Sequence, residues 1–279
     1  MARSFLWMIR RGLRRMSLDV SIFDKQSPDF QLAGVIRRRK IECILDVGAN
    51  RGQFARYMRL QGFKGTIHSF EPLPTAFAEL AEAAQLEPLA DAFVQLEAAA
   101  RRDANWHVHN IALSDRSGTV ELNIGANDQT SSILGVSSDH GSRLVSYTGT
   151  QTVECRRLDE LLESGFFGSL TPERAILKID VQGHELEVLK GSGGKLGLFA
   201  ALFIEASLVG IYDSEPGFGE MSAFLGKFGF SPIAFKGGLH HPDHGYLMQI
   251  DVLFEHLPAN ATAAGTTMKS LGDARNMQQ

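Results

Sequence analysis

The sequence has 279 residues and a hydrophobic content of 44%, which is enough for one large globular domain with extensions. Its formal net charge of -4 offers no excess of basic residues for a polyanion, so the composition argues against a nucleic-acid substrate. The two cysteines, Cys43 and Cys155, form no CxxC pair, which argues against a disulfide framework or a zinc site and favours the reducing cytoplasm.

The first 40 residues are expected to form a basic amphipathic arm. Arginines in the first 15 residues, such as Arg3 and Arg10, alternate with apolar residues such as Trp7 and Leu13. The apolar run is too short for a membrane span or a signal-peptide core, so we do not expect export. Two interpretations stay open: the arm docks on its own domain or on a second subunit, or it makes peripheral contact with an anionic membrane surface. The oligomeric state is left open.

From residue 41 the sequence alternates short β-branched runs with longer helical stretches, as in a parallel sheet built from βαβ units. We therefore predict a doubly wound α/β domain over residues 41–257 and a flexible tail over 258–279. The predicted strands are 41–47, 66–70, 106–113, 118–124, 152–156, 175–181, 201–205, 230–235 and 247–254. Helices are predicted over 52–61, from 74, from 184 and over 219–228, with an inserted helix reaching residue 102 and a loop over 125–149.

The end of the predicted domain is a hairpin. Its two strands are joined by a short turn over residues 241–245, so they must pair antiparallel. Such a hairpin is expected of methyltransferases and not of dinucleotide dehydrogenases. Four side chains in and beside this turn have the composition of a metal site, but Pro-Asp-x-Gly is ordinary turn chemistry and we interpret them as a turn. They are His240, His241, Asp243 and His244.

A cofactor site is predicted where the first strand meets a glycine turn. Asp46 lies at the tip of that strand, and Gly48 and Gly52 would let the backbone approach a ligand closely. A dinucleotide would bring its diphosphate against Asp46, whereas S-adenosyl-L-methionine brings a cationic ammonium and sulfonium, so the acid favours the sulfonium cofactor. Glu71, at the end of the second strand, is placed to accept hydrogen bonds from the ribose hydroxyls of either cofactor.

Catalytic side chains are expected at the ends of the strands 175–181 and 201–205. Methyl transfer to a hydroxyl needs the oxygen aligned with the S–methyl bond and its proton removed. We predict that Asp180 organises the hydroxyl or a metal ion, and that His184 and Glu205 compete as the general base. Asp180 and Glu205 could be two hard ligands for Mg²⁺, and metal dependence is left open. Gln182 is expected only to shape the turn after Asp180.

Four motifs make the sequence resemble the FkbM-type methyltransferases. They are DVGANRGQF at 46–54, FEPLP at 70–74, NIALSD at 110–115 and KIDVQGHELEVLKG at 178–191. The resemblance implies a class I, Rossmann-like fold with a mostly parallel seven-stranded sheet and O-methylation of a hydroxyl with S-adenosyl-L-methionine. The segments 1–40, 86–105 and the tail lie outside it. Residue by residue, it places Asp46, Gly48, Asn50, Gly52 and Glu71 at cofactor positions, with Ala112 and Ser114 near the adenine.

The acceptor is expected to be a small molecule or a glycan, such as a sugar or another secondary metabolite. Two other functions stay open. A catalytically inactive nucleoside-binding module is disfavoured because Asp46, Glu71 and Asp180 are all present. An NAD-dependent oxidoreductase is disfavoured by Asp46 and by the closing hairpin. The identity of the acceptor cannot be read from the sequence.

Overall fold

The computed structural model describes residues 27–85 and 103–256. The basic segment 1–26, most of the predicted insertion and the tail from residue 257 lie outside the described residues, so their predictions stay predictions. No helix within the described ranges is both long enough and apolar enough to cross a membrane.

Strands and helices alternate along the described chain. The strands are β1 Cys43–Val47, β2 Thr66–Phe70, β3 Trp106–His109, β4 Ala112–Leu113, β5 Gly118–Gly125, β6 Tyr147–Arg156, β7 Ala175–Ile179, β8 Ala201–Ser207, β9 Phe230–Gly237 and β10 Gln249–His256. The α-helices are α1 Pro28–Arg39, α2 Gln53–Leu60, α3 Pro74–Ala83, α4 Leu158–Glu163, α5 Glu185–Gly191 and α6 Phe218–Gly226. Short 3-10 helices lie at Asp128–Thr130, Gly141–Arg143, Pro172–Arg174 and Gly193–Leu198.

The main sheet has seven strands in the order β3-β2-β1-β7-β8-β10-β9. Neighbours from β3 to β8 pair in parallel, whereas β10 pairs antiparallel with both β8 and β9. Every residue of β1 and β7 is buried, as expected for parallel strands whose two faces are covered by helices. This arrangement confirms the predicted doubly wound α/β fold with its antiparallel C-terminal hairpin.

Each face of the sheet carries its own apolar core. Helices α1, α2 and α3 supply one core, with Leu32 and Leu80 among its fully buried residues. Helices α4, α5 and α6 supply the other, which includes Leu158, Leu189 and Leu225. Because both faces are packed, the carboxyl ends of the parallel strands form the edge at which a ligand can enter.

The predicted third strand, residues 106–113, is wrong as a single element. The chain leaves the main sheet after β3 at Asn110, whose side-chain amide donates to the backbone oxygens of Glu71 and Pro72 at 2.8 and 3.0 Å. It then enters a second sheet of three strands in the order β4-β6-β5. Strand β6 begins at Tyr147, five residues earlier than predicted, because it pairs along the whole length of β5.

Helix α1 lies on the hairpin strands, in a segment that the sequence assigned to the N-terminal arm. The Ser27 hydroxyl accepts from the Phe30 N–H at the start of the helix, and Leu32 and Val35 are buried. Arg38 and Arg39 form ion pairs with Glu255 of β10. The predicted domain boundary at residue 41 therefore falls after a helix that packs on the sheet.

The buried guanidinium of Arg59 holds helix α2 to the segment that leads into β3. The side chain of Arg59 is 4% exposed, and its Nε lies 2.7 Å from Oδ2 of Asp103. The same guanidinium donates to the backbone oxygens of Phe63, Gly65 and Asn105 at 2.8–3.1 Å. These bonds satisfy a charge that would otherwise be costly to bury.

Candidate active site

A cavity of about 880 Å³ opens at the carboxyl ends of β1, β2, β7 and β8. The β1 loop and Glu71 line one side, and Asp180, Gln182 and Glu205 line the other. Its volume is in the range that binds small-molecule ligands and cofactors. The predicted catalytic residues Asp180, His184 and Glu205 all line this cavity. Four of the predicted cofactor residues line it as well, namely Gly48, Asn50, Glu71 and Ala112, whereas Asp46, Gly52 and Ser114 do not.

The glycines of the β1 loop are required by the packing of the protein itself. Gly48 has φ +73, and a Cβ there would lie 1.8 Å from the backbone oxygen of Asp180. Gly52 has φ +80, and a Cβ there would lie 2.9 Å from the Trp106 ring. Both glycines were expected to let a ligand approach, but the atoms that an added Cβ would meet belong to the chain itself. Between them Asn50 adopts φ 47, a left-handed conformation that asparagine tolerates well.

Asp46 is fully buried beneath this loop, and its charge is paired inside the protein. Lys178 Nζ lies 3.1 Å from its Oδ1, and the Ser69 hydroxyl donates to its Oδ2 at 3.2 Å. Lys178 also donates to the Gly48 oxygen at 2.9 Å, and its Nζ lies 3.7 Å from Oδ2 of Asp180. Burial favours the neutral amine, but the carboxylates of Asp46 and Asp180 outweigh it and raise the pKa of Lys178. Asp46 therefore does not line the cavity itself. Lys178 lines it and contacts both Asp46 and Asp180.

Lys178 is a site residue that the sequence analysis missed. It is the one charged residue in the otherwise apolar strand β7, and every other residue of that strand is Ala, Ile or Leu. A lysine in a buried parallel strand needs an oppositely charged partner. Its place in an otherwise apolar run is the sequence feature that would have identified Lys178 as a candidate.

Glu71 occupies the end of β2, where the sequence predicted a ribose contact. Its Oε2 accepts from the Asn50 N–H and its Oε1 from the Leu73 N–H, both at 2.9 Å. Burial raises the pKa of Glu71 to about 7, although both N–H donors oppose the rise. The carboxylate ties the β1 loop to the β2 loop and lines the cavity.

The predicted adenine segment divides into one cavity residue and one buried residue. Ala112 lines the cavity, whereas Ser114 is fully buried below it. The Ser114 hydroxyl lies 3.0 Å from His184 Nε2, and His184 Nδ1 lies 3.9 Å from Oε2 of Glu187. Burial lowers the pKa of His184, which favours a neutral ring. Its imidazole therefore connects the end of β4 to the start of α5.

Three carboxyl groups form a row across neighbouring strands. The register pairs Ile179 of β7 with Ile204 of β8, so Asp180 and Glu205 are adjacent, and Glu205 pairs directly with Asp251 of β10. The Asp180 side chain is 39% exposed, which leaves it open to the cavity. Burial and the neighbouring Asp180 raise the pKa of Glu205 well above its usual range. Burial and Asp180 also raise the pKa of Asp251.

Gln182 joins this row, a role that the sequence analysis did not give it. Its Nε2 donates to Oδ1 of Asp180 at 3.0 Å and to Oε2 of Glu205 at 2.9 Å. Its Oε1 accepts from the Tyr212 hydroxyl at 2.8 Å. Gln249 donates a second amide hydrogen bond to Glu205 Oε2 at 3.1 Å. The amide of Gln182 therefore links the half-exposed Asp180 to the partly buried Glu205.

Glu185 is buried beneath the turn that carries Gln182. Its Oε1 accepts from the N–H groups of Val181 and Gly183 at 2.9 and 3.2 Å. Burial raises the pKa of Glu185 from 4.5 to about 8. Glu185 therefore holds the shape of the turn.

Glu185→Gln should flatten part of the pH dependence of stability. Between pH 4.5 and about 8 the folded protein holds a proton that the unfolded chain releases, so stability falls as pH rises through this window. One such group contributes up to about 1.4 kcal/mol per pH unit. The amide keeps an oxygen for both N–H donors but does not titrate. Urea unfolding at pH 5, 6, 7 and 8 measures the effect.

The control is Glu220→Gln, an exposed acid in the first turn of α6. It should keep the wild-type pH dependence. If the unfolding free energies of wild type and Glu185→Gln ran parallel over this range, Glu185 would not be the buried titrating group.

The described residues offer no ready metal ligand set. Within residues 27–85 and 103–256, no group of three His, Cys, Asp or Glu side chains is placed to hold a metal ion. Asp180 and Glu205, suggested as Mg²⁺ ligands, are joined by the Gln182 amide instead. In the hairpin connection, His241 Nδ1 accepts from the N–H groups of Asp243 and His244 at 3.2 and 3.3 Å. These bonds agree with the turn interpretation.

Comparison with known proteins gives consistent matches. The family model described as the methyltransferase FkbM domain matches residues 46–232. Methyltransferase 1 of Beauveria bassiana is 26% identical over 203 residues, 72% of this chain and 76% of that protein. The 31-O-demethyl-FK506 methyltransferase FkbM of Streptomyces tacrolimicus is 28% identical over 213 residues, 71% of this chain and 76% of that protein.

A third relative is the hexuronic acid methyltransferase AglP of Haloferax volcanii. It is 31% identical over 153 residues, which is 54% of this chain. The match spans about half of AglP, 49% of its length.

Proposed function

Since the chain belongs to the FkbM methyltransferase family, we propose that it transfers the methyl group of S-adenosyl-L-methionine to a hydroxyl oxygen of a sugar, a glycan or another secondary metabolite. Two relatives support this acceptor class, because one is named for a hexuronic acid and another for a demethylated FK506 oxygen. The observation that carries the proposal is the half-exposed carboxylate of Asp180 in the cavity, beside the buried charge of Lys178.

The residues of the cavity fit S-adenosyl-L-methionine. Each Glu71 oxygen accepts one backbone N–H and keeps capacity for a second hydrogen bond, which suits the two ribose hydroxyls. Ala112 lines an apolar part of the wall suited to the adenine. The β1 end of the cavity, where Lys178 lies between the buried Asp46 and the half-exposed Asp180, is assigned to the methionine end of the cofactor. When bound, the cofactor supplies an electrophilic methyl group on sulfur.

Asp180 is assigned as the group that takes the proton of the acceptor hydroxyl. It combines exposure to the cavity with a nearby ammonium, and a base must reach the hydroxyl directly. Glu205 is assigned a supporting role, because its raised pKa favours the protonated form, which cannot accept a proton. His184 is assigned to structure, since its Nε2 is engaged by Ser114. Transfer would form the O–CH₃ bond as the S–CH₃ bond of the cofactor breaks, which leaves S-adenosyl-L-homocysteine with the S–CH₃ electron pair, and Asp180 returns the proton to solvent.

Glu71→Ala should weaken S-adenosyl-L-methionine binding by about 1 to 3 kcal/mol, because the ribose hydroxyls would lose their buried acceptor. Isothermal titration calorimetry measures the affinity. Glu82→Ala is the matched control, since Glu82 is an exposed acid on α3. A melting curve of each variant checks folding. Equal affinities of a folded Glu71→Ala protein and the wild type would overturn the ribose assignment.

The function itself is tested in two steps. A thermal shift with S-adenosyl-L-methionine and with NAD identifies the cofactor, because a ligand that binds the folded state raises Tm. Radiolabelled S-adenosyl-L-methionine is then supplied with a panel of sugars, glycans and macrolides. Label transferred to an acceptor oxygen is the expected result. A shift by NAD alone would support an oxidoreductase, and cofactor binding without transfer across the panel would support an inactive binding module.

A further inference from the structure

Gln182 has a backbone that is fixed from both sides. It adopts φ 55, a left-handed conformation that costs free energy for a residue with a side chain. The Ser132 hydroxyl donates to its backbone oxygen at 2.6 Å, and Glu185 accepts from the N–H groups of its two neighbours in the chain. A strained turn held by this many hydrogen bonds aims the side chain in one direction.

The hydrogen-bond partners determine which way the amide faces. The NH₂ group of Gln182 donates to Oδ1 of Asp180 and to Oε2 of Glu205, and an ionised Asp180 can only accept. The amide oxygen then faces the Tyr212 hydroxyl, which has to donate. Burial raises the pKa of Tyr212, which keeps this hydroxyl protonated. Tyr212 lies 2% exposed in its own apolar cluster, so its ring is fixed as well.

The amide separates two carboxyl groups that lie in different surroundings. Asp180 is half exposed and lies 3.7 Å from the Lys178 ammonium. Glu205 is partly buried, pairs across the sheet with Asp251 and accepts a second amide hydrogen bond from Gln249. Two adjacent carboxylates repel, and the more buried one is the easier to neutralise.

We propose that Gln182 and Tyr212 form a positioning pair, in which the Tyr212 hydroxyl orients the Gln182 amide so that Asp180 is presented to the acceptor hydroxyl and Glu205 is held back from it. This inference rests on the proposed methyl transfer. Neither residue takes the proton. A hydrogen bond donated to a carboxylate favours its charged form and fixes its direction, which is what a base needs before the acceptor arrives.

The charged groups facing Asp180 come from four elements packed around it. They are Lys178 on β7, Glu205 on β8, Asp251 on β10 and Glu185 on α5. Three of these are acids, which disfavour a charged Asp180. If the Gln182 amide is no longer held by Tyr212, its hydrogen bond to Asp180 weakens, and the charged form of Asp180 loses part of its support. The acidic limb of the kcat/KM profile should then move to higher pH.

Tyr212→Phe tests the pair, with Tyr147→Phe as the matched control. Tyr147 lies in the same apolar cluster, but its hydroxyl donates to the backbone oxygen of Leu134 at 2.8 Å. In cofactor-free protein, NMR should show the Gln182 side-chain amide protons, assigned with Gln182→Ala, exchanging at least about tenfold faster in Tyr212→Phe and unchanged in Tyr147→Phe. In the methyl-transfer assay, Tyr212→Phe should lower kcat about tenfold and move the acidic limb up by about one pH unit.

The two measurements separate the pair from the proposed function. Unchanged amide exchange in Tyr212→Phe overturns the pair, even if the wild type methylates an acceptor. Faster amide exchange in Tyr212→Phe, together with no methyl transfer to any acceptor by the wild type, would support the orientation of the Gln182 amide by Tyr212 and refute the proposed function. A higher acceptor KM with unchanged kcat and an unmoved acidic limb would make Tyr212 a binding residue and overturn the positioning role.

Discussion

Asp180→Asn is expected to lower turnover by about 100-fold or more, the usual scale for losing a general base. The substitution keeps the volume and removes the charge. The asparagine oxygen can still accept from the Gln182 amide, and Lys178 keeps its ion pair with Asp46. The side chain is 39% exposed, so the fold should tolerate the change. Cofactor affinity should change much less, because Glu71 and the β1 loop are untouched. Initial rates with an acceptor from the panel and calorimetry with the cofactor measure the two effects.

Three further variants decide which carboxyl group is the base. Glu205→Gln should retain more activity than Asp180→Asn, because a protonated Glu205 is close to an amide in charge and shape. His184→Ala should act mainly on stability. Asp243→Asn, in the hairpin connection and 54% exposed, is the surface control and should keep wild-type turnover. If Asp180→Asn stayed active while Glu205→Gln or His184→Ala lost activity, the base would be reassigned.

A separate assay addresses the Mg²⁺ expectation. Turnover is measured after dialysis against a chelator and again after Mg²⁺ is returned. If activity is lost and then restored, Asp180 would be a ligand that activates the hydroxyl through the metal ion. If turnover does not change, direct proton removal by Asp180 is supported.

Arg59→Ala is expected to lower the free energy of unfolding by about 3 to 5 kcal/mol, the range for breaking a buried ion pair on one side. Asp103, 11% exposed, would lose its partner, and three backbone oxygens would lose a donor. Urea unfolding followed by circular dichroism measures the loss. Arg56→Ala, at an exposed position of the same helix, should change stability by less than about 0.5 kcal/mol.

The outcome also tests how β3 is held. If Arg59→Ala unfolded at the same urea concentration as Arg56→Ala, the buried guanidinium would contribute little, and the attachment of α2 to β3 would rest on apolar packing. Should the variant be insoluble, Arg59→Lys keeps the charge but loses the fork of donors. That variant should fold with a smaller loss of stability.

An element could be predicted from the sequence where the signal that bounds it is local. Strand β2 was predicted at 66–70 and is Thr66–Phe70, because a β-branched run bounded by Gly65 and Pro72 marks both ends. The third strand failed because residues 106–113 form one continuous run. What divides them is Asn110, whose side chain bonds the distant backbone of Glu71 and Pro72.

For the candidate site, the sequence placed acids at the ends of strands but could not state their surroundings. Asp46 reads as an exposed strand tip, and only the pairing of β1 with β7 shows that Lys178 covers it. Asp180 and Glu205 read alike, as carboxylates after buried strands. The difference in their exposure and partners comes from the neighbours of β7 and β8, which the chain supplies from positions far away.

By itself the sequence determined the doubly wound fold, the family and the edge of the sheet where the candidate site lies, because hydrophobic periodicity, glycine turns and the four motifs are properties of contiguous residues. Only the tertiary structure decided that Lys178, Gln182 and Tyr212 belong to that site and that His184 is engaged by Ser114. Burial, ion pairing and the direction of a hydrogen bond depend on residues that folding brings together, and these set the charge of each acid.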